Sequence, residues 1–177
     1  MSTEAIIKYT IGWLIILLSR LIPYRPPNIE PLMATIMPFS RRYGWLGSFI
    51  FSLSSIVIFD ILMGRVGTWT VITGISYGLV AIGASLFFKN RKVSRVDFVQ
   101  YAILGTLVYD AITGLSIGPL FFGQTLASAF VGQIPFTLWH LGGNIIFAAT
   151  LSPLIYNWVL DNKELELSAV IRRLSIA

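Results

Sequence analysis

The chain contains no cysteine and a single histidine, His140. Disulfides, thiolate catalysis and Cys-ligated metals are thereby excluded, and so is any multi-histidine metal site. Charge is scarce as well. Only 12% of the 177 residues are Asp, Glu, Lys or Arg, where a soluble domain carries about a quarter. Residues 111–160 hold none at all. There is no Gly-x-x-x-x-Gly-Lys-Ser/Thr loop, no Gly-x-Ser-x-Gly elbow and no His-Glu-x-x-His pair. The chain therefore cannot hydrolyse a nucleotide by the usual loop, and it shows no familiar hydrolase signature.

What is present is apolar. Hydrophobic residues make up 55% of the chain and the mean hydropathy is +0.77, values typical of polytopic membrane proteins. A net charge of +5 would admit nucleic acid. The basic residues sit between apolar runs and form no recognition motif, so no nucleic-acid partner is expected. Residues 2–4 carry no basic cluster and Ser19, Arg20 and Leu21 make a poor cleavage site. The first apolar run is therefore expected to be retained as a helix.

Six hydrophobic segments follow one another: Ala5–Pro23, Glu30–Ser40, Trp45–Met63, Thr68–Phe88, Phe98–Gly114 and a last one within Thr125–Leu160. A membrane crossing needs about 20 helical residues. The second is too short alone; it is a supported half-helix, or it runs through Arg41–Gly44 into the third. The last is too long, and Pro135 is expected to divide it into a surface or re-entrant piece at 124–133 and a true span. With six crossings and the N-terminus inside, ten basic residues lie inside (Lys8, Arg41, Arg42, Lys89, Arg91, Lys92, Arg95, Lys163, Arg172, Arg173) and three outside (Arg20, Arg25, Arg65). The positive-inside rule then puts both termini in the cytoplasm. The expected fold is an all-α membrane protein: a compact bundle of six transmembrane helices, the second one short, over residues 1–160. Residues 161–177 form a cytoplasmic tail, read equally as an amphipathic surface helix or a disordered end.

Polar residues in such a chain need partners. Gln133, Thr137, His140 and Asn144 recur at steps of four, three and four, which places them on one helical stripe. Lipid offers them no hydrogen bond, so they line a cavity or bond to a neighbouring helix. Thr106, Asp110 and Thr113 share a face of the fifth segment in the same way. Asp110 stands before Gly114-Leu-Ser-Ile-Gly118-Pro119, a stretch expected to loop over the outer face. It binds a polar or cationic group, or it pairs with Arg65 or Arg25. Glu30, Asp60 and Asp110 all map to outer helix ends, level with Arg20, Arg25 and Arg65; six charges at one depth suggest ion pairs or a ligand site. Three prolines within 23–27 stiffen the first outer link and hold Tyr24, Asn28 and Glu30 in place. Trp69 begins the fourth segment, where an interfacial anchor role is the plainer alternative. Two small-residue ridges, Gly74/Gly78/Ala81/Ser85 and Ser48/Ser52/Ser55, suit close helix packing rather than substrate.

Taken together, several stretches resemble the substrate-binding S components of energy-coupling factor (ECF) transporters. They are the six-span layout, Arg20-Leu-Ile-Pro with Pro27-Asn-Ile-Glu-Pro31-Leu-Met-Ala, Gly64 and Gly67-Thr-Trp69-Thr before a Gly/Ala-rich helix, Gly118-Pro119, and Gly132-Gln-Ile-Pro-Phe-Thr-Leu-Trp-His-Leu-Gly-Gly-Asn144. The resemblance implies a subunit of a prokaryotic cytoplasmic membrane that captures a vitamin or similar micronutrient from outside. It would then deliver it to a T component driven by two ABC ATPases, with no cofactor and no enzymatic activity of its own. The family's site would lie under the loops 23–30, 64–67 and 114–124. The substrate-binding residues would be Asn28, Glu30, Asp110, Gln133, Thr137, His140 and Asn144, with Arg25, Asp60, Arg65 and Trp69 in support. The family's first-helix Ala-x-x-x-Ala docking pattern is missing; Thr10, Gly12 and Ser19 are the small residues there, and the Gly74/Gly78 ridge is an alternative docking face. Two other classes remain open: a small proton-coupled secondary transporter using Asp60 or Asp110, and an intramembrane enzyme using His140 with Asp110.

Overall fold

A computed structural model describes residues 5–24 and 29–175, which form helices joined by short turns, with no strand among them. The elements are α1 Ile6–Arg20, α2 Leu32–Leu62, α3 Thr68–Phe88, α4 Arg95–Phe122 and α5 Leu126–Leu154. A π-helical run Ile155–Leu160, a 3-10 turn Lys163–Leu165 and a short α6 Leu167–Leu174 follow. Four helices are long and apolar enough to cross a membrane: α2, α3, α4, and α5 with its π-helical extension. At 15 residues, α1 spans about 22 Å at 1.5 Å per residue.

The long α2 is not one rod. Gly44 has φ 69° and ψ −170°, a conformation open almost only to glycine. The chain folds back there. Phe39 and Phe51 stack with ring centroids 3.9 Å apart, although twelve residues of straight helix would separate them by about 18 Å. Ser40 and Ser48 both donate to the Ala81 carbonyl, at 3.2 and 3.3 Å. The arms 32–43 and 45–62 therefore run in opposite directions. The second and third sequence segments are separate helical runs sharing a one-residue turn.

Runs alternate in direction through the rest of the bundle, which gives it two distinct ends. At one end Lys8 Nζ donates to the Leu160 carbonyl at 2.8 Å and lies 3.8 Å from Glu166. Arg42 reaches the same carboxylate at 3.5 Å, and Arg41 reaches the Lys89 carbonyl. The start of α1 and the end of the chain thus meet. Arg20, Glu30, Asp60 and Arg65 gather at the opposite end, around one cavity.

Packing follows the small residues. A Cβ on Gly12 would lie 2.6 Å from Phe39 and 2.9 Å from Phe51, so only glycine admits the aromatic cluster of Tyr9, Phe39 and Phe51 against α1. Gly74 and Gly78 of α3 face Leu53 and Phe49 of α2 with equally little room. Ser48, Ser52 and Ser55 are buried, and Ser52 and Ser55 return their hydroxyls to carbonyls of their own helix. Both ridges serve internal packing. The Gly74/Gly78 ridge is consequently covered and is not an outer docking face.

Two sequence expectations are corrected. Residues 114–119 do not form a loop; α4 runs on to Phe122 with Gly118 and Pro119 inside it. The stop is Gly123, in the left-handed region at φ 62°, with the Gln124 N–H returning to the Gly118 carbonyl at 3.2 Å, a helix-ending pattern that uses glycine's freedom. Nor does Pro135 divide the last segment. Thr125 caps α5 by accepting the Ser128 N–H, and the helix continues unbroken to Leu154. Pro135 and Val131, whose carbonyl the proline leaves without its helical donor, both sit on the exposed face, so the ring displaces no packed neighbour.

Candidate functional site

The link between α1 and α2 brings two opposite charges together. Arg20, the last residue of α1, donates Nε and Nη2 to the two oxygens of Glu30, at 2.7 and 3.2 Å. This fork geometry is the strong form of an Arg–carboxylate pair. Tyr77 of α3 donates its hydroxyl to Glu30 Oε1 at 3.2 Å. Glu30 is thereby held by two elements besides its own.

The link between α2 and α3 is built as tightly. Thr70 donates to Asp60 Oδ2 at 2.6 Å and accepts the Gly67 N–H at 3.1 Å. The Arg65 N–H closes the turn on the Asp60 carbonyl at 2.8 Å. Above Phe59 lie two guanidinium groups, Arg20 at 4.5 Å and Arg65 at 5.2 Å from the ring centroid, within cation–π range.

Arg20, Glu30, Asp60, Arg65 and Tyr77, with Ile56, Trp69, Thr73, Tyr109, Phe136 and His140, line a cavity of about 390 Å³. Its wall joins two guanidinium groups and two carboxylates to an aromatic surface. Tyr77 and Tyr109 stack at 4.0 Å, and His140 meets Tyr109 and Phe136 edge to face. Such a wall can hold a small polar molecule by paired charges and flat contact at once.

Behind it, α4 and α5 are tied by matched polar pairs. His140 Nδ1 lies 2.7 Å from Asp110 Oδ1, and Asn144 Nδ2 donates to Thr106 Oγ1 at 2.8 Å. Both pairs are buried. They are four residues apart on each of two antiparallel helices, so one register satisfies both. With the carboxylate accepting, Nδ1 carries the hydrogen, and the His140 residue also lines the cavity. Asp110 Oδ2 and Asn144 Oδ1 have no hydrogen-bond partner among the described residues.

The polar stripe of α5 is therefore shared among three surroundings. His140 reaches the end cavity. Asn144 binds α4. Gln133 and Thr137, which hydrogen-bond to each other at 3.3 Å, line a second, separate groove of about 370 Å³ between α4 and α5, where Asp110 also contributes. Of the other residues singled out in sequence, Glu30, Asp60, Arg65 and Trp69 all line the end cavity. The partner expected for Asp110, Arg65 or Arg25, is replaced by His140, because Asp110 faces α5 inside the bundle. Asn28 and Arg25 lie outside the described residues. Tyr24, at φ 58°, is fully exposed.

Tyr77 and Tyr109 line the cavity, and Phe59 lies against its two guanidinium groups; none of these three carried a local signal as a site residue. Arg20, which also lines the cavity, did: it ends the first apolar run, ten residues before the acid that begins the next. Among the described residues no group of three or more His, Asp or Glu is placed to hold a metal ion. No protein-family model, curated protein or solved structure matches the chain.

Proposed function

We propose that the chain is the substrate-capture membrane subunit of an ECF-type importer. It takes a vitamin or related micronutrient from outside a prokaryotic cell and delivers it to a T component with two ATPases. The observation that carries this reading is the end cavity: about 390 Å³, walled by Arg20, Glu30, Asp60, Arg65, Trp69, Tyr109 and His140, at the end of the bundle away from the meeting point of Lys8 and Glu166. Charged groups at membrane depth are costly and tend to mark substrate sites. In this reading the helical runs up to Leu160 are six crossings, both termini are cytoplasmic, and the cavity opens outward. The chain alone binds and does not pump.

Native mass spectrometry of the purified protein tests it. A bound small molecule is expected, retained by the unmodified chain and lost in Arg65→Ala and in Trp69→Ala. Neither substitution disturbs the Arg20–Glu30 pair. A chain that arrives empty, and takes up nothing from a vitamin panel, sinks the proposal.

One observation favours a second reading. The buried Asp110–His140 contact has the make-up of a proton relay in a membrane carrier. Uptake by the chain alone in vesicles, driven by a proton gradient without ATPases, would establish that reading against the first. An intramembrane enzyme finds less support. It needs a nucleophile beside His140, and Thr73, on the same cavity wall, gives its hydroxyl to the Trp69 carbonyl at 2.8 Å.

A further inference from the structure

The end cavity holds four charged side chains, Arg20, Glu30, Asp60 and Arg65, and they divide into two kinds. Arg20 and Glu30 satisfy each other through paired contacts at 2.7 and 3.2 Å. Asp60 and Arg65 have no such match. Among the described residues neither is in an ion pair, with the other or with a third residue. Asp60 is 8% exposed, and the hydrogen bond that its Oδ2 accepts from Thr70, at 2.6 Å, comes from a neutral group. Arg65 is exposed and lies 5.2 Å from the centre of the Phe59 ring. The ring attracts its charge but offers no carboxylate to its N–H groups. Tyr77, Thr73 and His140, on the same wall, are engaged with Glu30, the Trp69 carbonyl and Asp110.

Four kinds of occupant suit this unpaired acid and base unequally. A neutral molecule strips water from both charges and returns nothing. An anion matches Arg65 but brings like charge toward Asp60. A cation matches Asp60 but repels Arg65. Each of these leaves a charge shielded from water and unmatched, which is costly. A molecule with one positive and one negative group matches both, and the aromatic side chains of Trp69, Tyr109 and Phe136 receive its body. Asp60 is the less exposed of the two, so the positive group is the deeper one.

We infer that the end cavity selects a small zwitterion, its cationic group against Asp60 and its anionic group against Arg65. This rests on the reading of the cavity as the capture site and adds the charge of what is captured.

Titration calorimetry of the full chain in lipid nanodiscs tests it with two sets of probes. One is 4-(aminomethyl)benzoate, its methyl ester, which keeps only the positive group, and 4-methylbenzoate, which keeps only the negative one. The other is L-phenylalanine, its methyl ester and 3-phenylpropionate, in which the charges sit closer together. In at least one set the zwitterion should bind about tenfold tighter than either singly charged counterpart, the ratio that one hydrogen bond to a charged group supplies. Asp60→Asn, which keeps an oxygen for Thr70, should erase the advantage over the anion, and Arg65→Gln the advantage over the cation. In the unmodified chain, a singly charged probe that equals its zwitterion in both sets overturns the inference, and so does failure of every probe to bind, whatever becomes of the variants. An advantage over the anion that survives Asp60→Asn overturns it too. The capture reading fails separately, on a purified chain that arrives empty and takes up no vitamin; a copurified molecule without any preference for the zwitterions sinks the charge assignment alone.

Discussion

Asn144 and Gln133 illustrate how alike two residues can look in sequence and how differently they are placed. Both are amides on the same stripe of α5. Asn144 is 1% exposed and donates to Thr106 at 2.8 Å; Gln133 bonds only to its helical neighbour Thr137, at 3.3 Å, in a half-buried place. Asn144→Ala leaves a buried hydroxyl without its donor and should cost about 1–3 kcal/mol. Gln133→Ala should stay within about 0.5 kcal/mol. Thermal unfolding in detergent measures both, and similar losses would show that the Asn144–Thr106 bond carries no special weight. The stripe itself was legible because helical periodicity fixes which residues share a face. Its division was not, because that depends on which residues of α4 stand opposite. The same limit hid Tyr77, Tyr109 and Phe59, ordinary aromatics until the fold sets them around Glu30 and Arg20.

Helices in this chain begin and end on backbone chemistry more than on composition. The runs themselves were legible as apolar stretches, and α3 has the bounds its hydrophobic segment predicts. The breaks were not. Gly114, Gly118, Pro119 and Pro135 read as loop signals, yet all lie inside helices. A freed carbonyl on a helix surface is tolerated when nothing packed is displaced, so a proline need not end the helix. Gly123 and Gly44 do the work instead, through positive φ. Gly44 has open space around it, with nothing within 4 Å of an added Cβ, so any penalty there is purely one of backbone conformation. Gly44→Ala should therefore destabilise by about 1–3 kcal/mol. Gly67→Ala, at an extended φ of −170° and equally open, should change stability by about 0.5 kcal/mol or less. Unfolding midpoints of the two variants decide it: equal values would mean that the reversal at Gly44 does not depend on glycine.

At the scale of the whole molecule, the alternation of helical runs and the charge distribution make the same division. Lys8, Arg41, Arg42 and Lys89 gather at the end where the beginning of α1 meets Glu166, and Arg20 and Arg65 stand at the other. The count of basic residues made this polarity legible before any fold. The doubling back of α2 was needed to turn it into geometry, since a straight α2 of 31 residues would leave the two charge sets on mismatched ends. The absence of cysteine makes the arrangement easy to probe, because any introduced thiol is unique. Arg65→Cys and Lys92→Cys place one thiol at each end, both at exposed positions. In intact cells a membrane-impermeant maleimide should modify the first and spare the second, which should react only after permeabilisation. The reverse pattern would keep the two-ended bundle and turn its cavity toward the cytoplasm, which capture from outside does not survive. Labelling of both thiols from one side would contradict the alternation itself, and with it the bundle on which the cavity depends.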